Sequence, residues 1–269
     1  ILNEWANESR DTAGGLSPAV AKRDMEQLRA LNNLVGLTAY TGHENHFPVP
    51  GGDVHEAFSV WTPEWMRFAI VHGYRGGRWW DKVRHVYNCV YWEGPRHRRT
   101  LWQGEPFGPG KLVSVTDNKH ELTGEVMALA AWTAAITGQV WTFFSSPGVV
   151  LGNERFEDQA GFFETPRMIA VAERFARQHG IHWGALRLIH GGAGRQNVLT
   201  IASGGEHARI DQAIDDAKGV CFATVYGPEA ISAKPTPGWS WSWVNPATAE
   251  VVDNVDVTRS MKSGGLVGV

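Results

Sequence analysis

The chain has 269 residues, 13 of them tryptophan and 2 cysteine, and carries a formal net charge of −3. That length supports one large domain or two smaller ones around a sizeable core. Positive charge is scattered apart from residues 96–99, no apolar run reaches the length of a membrane span, and the two cysteines lie in segments of different type. Nucleic acid, a membrane and a disulfide framework are therefore not indicated.

The first nine residues read as a strand, with Ile1, Trp5 and Ala6 apolar and Asn7-Glu8 at its end. Ser17-Pro18 supplies a cap and a first-turn proline for an amphipathic helix carrying Val20, Ala21, Met25, Leu28 and Leu31 on one stripe. Residues 34–40 read as a buried strand, followed by a loop rich in Gly, His and Pro. Residues 67–71 form another strand, which runs into His72-Gly-Tyr74. From Trp79 a helix is marked by Trp79, Val83, Val86, Tyr87 and Val90. A short apolar strand over residues 100–102 stops at Gly104, and Glu105 follows at the head of a Gly/Pro-rich loop. A helix over residues 121–137, a strand over residues 140–144 and a helix capped by Thr165-Pro166 complete this part, with Met168, Ile169, Ala172 and Phe175 facing inward.

Strand and helix alternate four or five times, which calls for a parallel sheet with crossover helices. Gly104-Glu-Pro-Phe-Gly and Gly191-Gly-Ala-Gly lack the Lys-Ser/Thr ending and the following helix of a phosphate loop. A nucleotide-binding fold is disfavoured and a barrel preferred. After Gln178 the pattern changes to short apolar runs separated by Gly, Pro and Asn, over residues 183–189, 197–202, 220–226, 239–244 and 251–257. These predict a small antiparallel β-domain over residues 179–269, after an α/β domain over residues 1–178.

A carboxylate at the end of a buried strand must be offset by partners, which makes Glu105 a candidate for chemistry. In a barrel, Glu8 and Glu105 would share the carboxyl-end rim where active sites of that architecture are built. Two carboxylates across a cleft suit glycosidic cleavage, one protonating the leaving oxygen and the other attacking or stabilising the anomeric carbon. Tyr74 would hold the nucleophile ionised, Asn7 would grip a sugar hydroxyl, His72 would line the rim, and Trp141 would offer a stacking floor or pack between sheet and helix. The many indoles suit sugar rings or core packing alike.

The Asn7-Glu8 strand ending resembles the strand-four acid/base of clan A glycoside hydrolases, and Gln103-Gly-Glu105-Pro resembles their strand-seven nucleophile. His72-Gly-Tyr74 is similar to their strand-six aromatic. The tail, with Trp241-Ser-Trp-Val-Asn-Pro-Ala-Thr-Ala-Glu250, is similar to the β-domain of apiosidase-like members. The resemblance implies the carboxyl-terminal portion of a (β/α)8 barrel, about strands 4 to 8, followed by a small antiparallel β-sandwich. It also implies a retaining glycoside hydrolase acting on a poly- or oligosaccharide through a covalent glycosyl-enzyme, with Glu105 as nucleophile, Glu8 as acid/base and no cofactor. Asn3-Glu4 is another Asn-Glu pair in the same strand, which makes Glu4 the alternative acid/base.

The chain is expected to be a fragment cut inside a domain, from a secreted or periplasmic protein whose signal peptide would lie upstream. Two other functions fit parts of the pattern. One is a non-catalytic carbohydrate-binding protein on the same cleft. The other is a metal-dependent hydrolase built on His43, His46 and His55 with Glu44 and Glu56, although their spacing defines no ligand geometry and a sugar-contacting role for His43 fits better.

Overall fold

The computed structural model describes residues 18–31, 37–38, 68–72, 78–97, 100–105, 124–141, 164–189, 197–229, 231–252 and 266–268. These residues form a mixed α/β structure. The first part holds helix α1 (Pro18–Leu31), strands β1 (Leu37–Thr38) and β2 (Phe68–His72), helix α2 (Trp79–His97) and strand β3 (Thr100–Glu105). Helix α3 (Gly124–Ile136), strand β4 (Val140–Trp141) and helices α4 (Glu164–Ile169) and α5 (Val171–His179) come next. The strands form one parallel sheet in the order β1-β2-β3-β4, each beside its neighbour in sequence.

The helices obey the apolar spacing with local exceptions. On α1, Met25 is fully buried and Val20 and Leu28 are half-buried, but Leu31 is 83% exposed, so the stripe ends one turn before the helix does. On α2, Trp79, Val83 and Val86 are buried and Tyr87 is half-buried. Its first turn is closed by the Arg78 backbone N–H donating to Asp81 Oδ2 at 3.0 Å, which satisfies an otherwise orphan donor. Helix α3 is buried all round from Val126 to Ile136, as suits a helix with apolar residues on every face. The helix expected after Thr165 is broken at Ala170 into α4 and α5. Backbone bonds Ala170→Pro166 and Arg174→Ala170 carry the four-residue pattern across the break.

Helix α5 ends at Gly180, whose φ of 63° is left-handed, and Ile181 N–H reaches back to the Ala176 carbonyl at 2.9 Å. This is the glycine-terminated helix end that a side chain on Cβ would strain. After it come a 3₁₀ turn (Trp183–Ala185) and strands β5 (Arg187–Ile189), β6 (Leu199–Ser203), β7 (Arg209–Asp215), β8 (Val220–Tyr226) and β9 (Ser232–Pro235). Strands β10 (Trp243–Val244), β11 (Val251–Val252) and β12 (Leu266–Gly268) complete the described chain. They build an antiparallel six-stranded sheet, β11-β10-β12-β8-β7-β5, and a two-stranded ribbon of β6 and β9. Strands β7 and β9 were not expected, and the 3₁₀ turn occupies the start of the run expected as the first strand.

The central pair β7–β8 is covered on both sides. Phe222, Thr224 and Tyr226 face the helices, whereas Cys221, Ala223 and Val225 pack with Leu199, Ala233, Trp241 and Trp243 on the other side. Helix α3 is thereby held between the two parts. Trp132 Nε1 donates to the Pro246 carbonyl at 3.0 Å, and the Thr133 and Thr224 hydroxyls meet at 3.2 Å. One apolar cluster joins Trp132, Ile136, Val171 and Phe175 of the helices to Ala213, Phe222 and Val244 of the sheet. Every described tryptophan side chain is buried or half-buried.

Candidate active site

Three of the residues expected at the site lie at adjacent carboxyl ends of the parallel sheet. His72 is the last residue of β2, Glu105 the last of β3 and Trp141 the last of β4. His72 is the register partner of Glu105, and Gln103 is the partner of Trp141. The register shifts between Val71 and His72, because Val71 pairs with Gln103 and Gly104 has no partner. An extra residue of this kind bends a strand and re-aims the side chains beyond it, and glycine accommodates it without a Cβ. Backbones of neighbouring strands lie about 4.8 Å apart, so positions 72 and 105 are side by side on the rim.

Strand β3 reaches the rim because its interior is apolar and its end is not. Leu101 is 2% exposed and Trp102 is half-buried, while Gly104, Glu105 and Pro106 end the apolar run. The strand runs through Glu105, two residues beyond Gln103, rather than stopping short at Gly104.

Trp141 is half-buried and packs against the cluster of Trp79, Val83, Val86, Val126 and Met127 contributed by α2 and α3. Its position is therefore the one between sheet and helices. Asn7, Glu8 and the alternative Glu4 lie outside the described residues, as do Tyr74, His43, His46 and His55. Among the described residues no group of three His, Cys, Asp or Glu side chains is placed to hold a metal ion.

A second polar constellation lies where the helices meet the antiparallel sheet. Tyr226 donates its hydroxyl to Asp211 Oδ2 at 2.6 Å, and the two residues are 0% and 5% exposed. Burial pushes the Asp211 carboxyl up to about 7, against the opposing effects of the Tyr226 hydrogen bond and the Arg84 and Arg209 charges. Burial, together with the neighbouring carboxylate, pushes Tyr226 well above the ordinary phenol range, so it remains a neutral donor.

No family model matches the chain, and no curated protein matches it either.

Sequence reasoning found the β3 end through the abrupt passage from apolar run to Gly-Glu-Pro. It missed Asp211 and Tyr226. Strand β7 reads Arg-Ile-Asp-Gln-Ala-Ile-Asp, and its helix-facing side is Asp211, Ala213 and Asp215, all buried, which alternation alone assigns to solvent. A cleft of about 270 Å³ opens on the same seam, lined by Phe175, His179, Ile181, Asp215, Lys218, Val220 and Phe222. Its polar rim is already engaged in part. Lys218 Nζ donates to the Gly180 carbonyl at 2.6 Å, and Asp215 Oδ1 accepts the backbone N–H groups of Ala217 and Lys218.

Proposed function

We propose that the chain is the carboxyl-terminal part of a retaining glycoside hydrolase that cleaves O-glycosidic bonds in a poly- or oligosaccharide. Glu105 is the nucleophile, Glu8 the acid/base, Asn7, His43 and His72 contact the sugar, and Tyr74 supports the reacting carboxylate. The observation that carries this assignment is the side-by-side position of His72 and Glu105 at the carboxyl ends of two parallel strands. That rim is where catalytic groups of α/β barrels are built.

The strand order favours the same architecture. In a doubly wound sheet the order reverses at a switch point, and ligands bind there. The order β1-β2-β3-β4 has no reversal, as expected for consecutive units of a barrel. On this reading residues 1–178 are about strands 4 to 8 of a (β/α)8 barrel and residues 179–269 an appended β-sandwich.

The chemistry rests on two carboxyls with different duties. Glu105 attacks the anomeric carbon while Glu8 gives its proton to the departing oxygen. Water, deprotonated by Glu8, then releases the sugar from the Glu105 ester with net retention. The ionised nucleophile must be stabilised by hydrogen bonds from the rim, and a tyrosine hydroxyl at position 74 is the group proposed for it.

The deciding experiment compares Glu105→Gln, Glu8→Gln and Glu4→Gln in the complete protein on a panel of aryl glycosides and glycans. Loss of turnover in the first two, with the third near wild type, supports the assignment. Full activity in Glu105→Gln would overturn it. Glycan binding with no turnover by the wild-type protein would favour the carbohydrate-binding alternative. A Glu8–Glu105 carboxyl separation of about 5–5.5 Å would fit retention and about 6.5–9.5 Å inversion.

A further inference from the structure

Asp211 and Tyr226 form a buried acid–phenol pair at the junction of the antiparallel sheet with the helix layer. Tyr226 is packed in one cluster with Trp79, Val83 and Val86 of α2. Asp211 is the cross-strand partner of Thr224, whose hydroxyl meets Thr133 of α3. Both members of the pair therefore face the helices rather than solvent.

The charges that face the carboxyl come from two elements. Arg209 lies on its own strand and Arg84 on α2. Arg209 directs Nη1 to the carbonyls of Glu206 and Ala208, and Arg84 is solvent-exposed, so neither is wholly committed to Asp211. Of the other titratable groups on α2, Lys82 and His85 are buried and have contacts of their own. His207 stacks on Trp80 at the start of α2, with ring centroids 5.6 Å apart.

We propose that the Asp211–Tyr226 pair is a proton-operated clasp, holding the antiparallel sheet tightly on α2 when Asp211 is neutral and loosening that seam when it ionises. An ionised carboxylate in this site has one strong hydrogen bond and little water, whereas a neutral one needs no compensating charge. Ionisation sends the Asp211 proton to solvent and changes no other bond. Tyr226 stays protonated throughout and donates to either form.

The sign is set by linkage. The carboxyl titrates near 7 in the folded chain and near 4 when unfolded, so the folded form binds the extra proton between these values. The stability that the neutral carboxyl contributes is fully present below about pH 4. It is lost progressively as pH rises towards 7, and the loss is complete above that.

The test is thermal unfolding of the full chain from pH 5 to 8 for the wild type, Asp211→Asn and Tyr226→Phe. Hydrogen exchange of α2, β7 and β8 amides is monitored in parallel as protection factors. The wild-type Tm is expected to fall by on the order of 5 °C over this range. Asp211→Asn is expected to lose most of that fall and to melt above wild type at pH 8, with protection of the three elements no longer dependent on pH. Histidines titrate in the same range as a class, and the carboxamide variant separates the carboxylate from His85 and His207. Parallel wild-type and Asp211→Asn profiles would overturn the clasp. If Asp211→Asn does not fold, Tyr226→Phe decides. Losing the donor moves the midpoint of the pH profile upward if Asp211 is the titrating group, and an unmoved midpoint removes the proposal.

Discussion

His72 and Glu105 are register partners at the carboxyl ends of β2 and β3, and Gly104 sits unpaired between two paired positions of β3. The shift has a consequence for chemistry. With an unbroken ladder, Gly104 would stand opposite His72 and Glu105 would lie one position further along. The shift instead brings the acidic position level with the imidazole position, on neighbouring strands about 4.8 Å apart.

Replacing His72 is therefore expected to act on turnover more than on stability. In the proposed hydrolase, His72→Ala lowers kcat/KM by roughly a hundredfold, because a misplaced reacting group costs about that much even when it is retained. Its Tm is expected to change by only a few degrees. Steady-state kinetics beside a thermal melt measures both. Unchanged kcat/KM would remove His72 from the site.

The parts of the fold that were legible in the sequence are those whose pattern has a single physical cause. Trp79, Val83 and Val86 recur at helical spacing because one face of α2 must be covered, and all three are buried. Val220–Tyr226 reads as a strand because both of its faces are buried, and it is β8. Strand β7 was not legible, because its helix-facing side carries two carboxylates whose burial depends on Tyr226 and on the backbone N–H groups of the turn that follows the strand. Strand β9 reads Ser-Ala-Lys-Pro, with no apolar alternation, and is defined by its pairing with β6. At the candidate site, the ends of β2 and β3 were legible from an apolar run giving way to Gly and polar residues. That His72 and Glu105 are level was not, because the shift that aligns them is a property of pairing and leaves no period in either strand.

Trp132 ties the two parts of the structure together through its indole N–H and the Pro246 carbonyl. The ring also packs edge-on against Trp183 and obliquely against Phe175. Trp132→Phe keeps an aromatic ring but strands a buried carbonyl and leaves space where the larger ring was. A loss of about 2–4 kcal/mol is expected, from the unsatisfied acceptor and the cavity together. Urea unfolding monitored by circular dichroism gives the value. A loss below about 1 kcal/mol would mean that this contact is not a principal tie.

Gln212 faces the side of β7 opposite to Asp211 and behaves as a piece of strand. Its Oε1 accepts the Leu199 N–H at 2.8 Å and its Nε2 donates to the Leu199 carbonyl at 2.9 Å. Strand β6 pairs with β9, so this side chain adds a hydrogen-bonded tie between the ribbon and the six-stranded sheet to the apolar contacts of Leu199 and Ala233. Gln212→Met has similar length and no hydrogen bonds, and it leaves two buried backbone groups unpaired. The expected cost is roughly 2–4 kcal/mol, read as a lower urea midpoint with little change in slope. An unchanged midpoint would show that the ribbon is held by its apolar contacts alone.

Cys221 reports on the opposite face of β8 without perturbing it. The thiol is 2% exposed and packs with Ile189 and Val198, and burial pushes it up to about 12. At pH 8 a thiol of that kind is ionised to about one part in 10⁴, and only the thiolate attacks a disulfide reagent. In a Cys89→Ser background, the native chain is therefore expected to resist labelling at pH 8 for as long as β8 stays covered, while the chain in denaturant labels at once. Because labelling then requires opening of the sheet, its rate should rise when Gln212→Met weakens the adjoining ribbon. Rapid labelling of the native protein, at the rate seen in denaturant, would place Cys221 in an open rather than a packed environment.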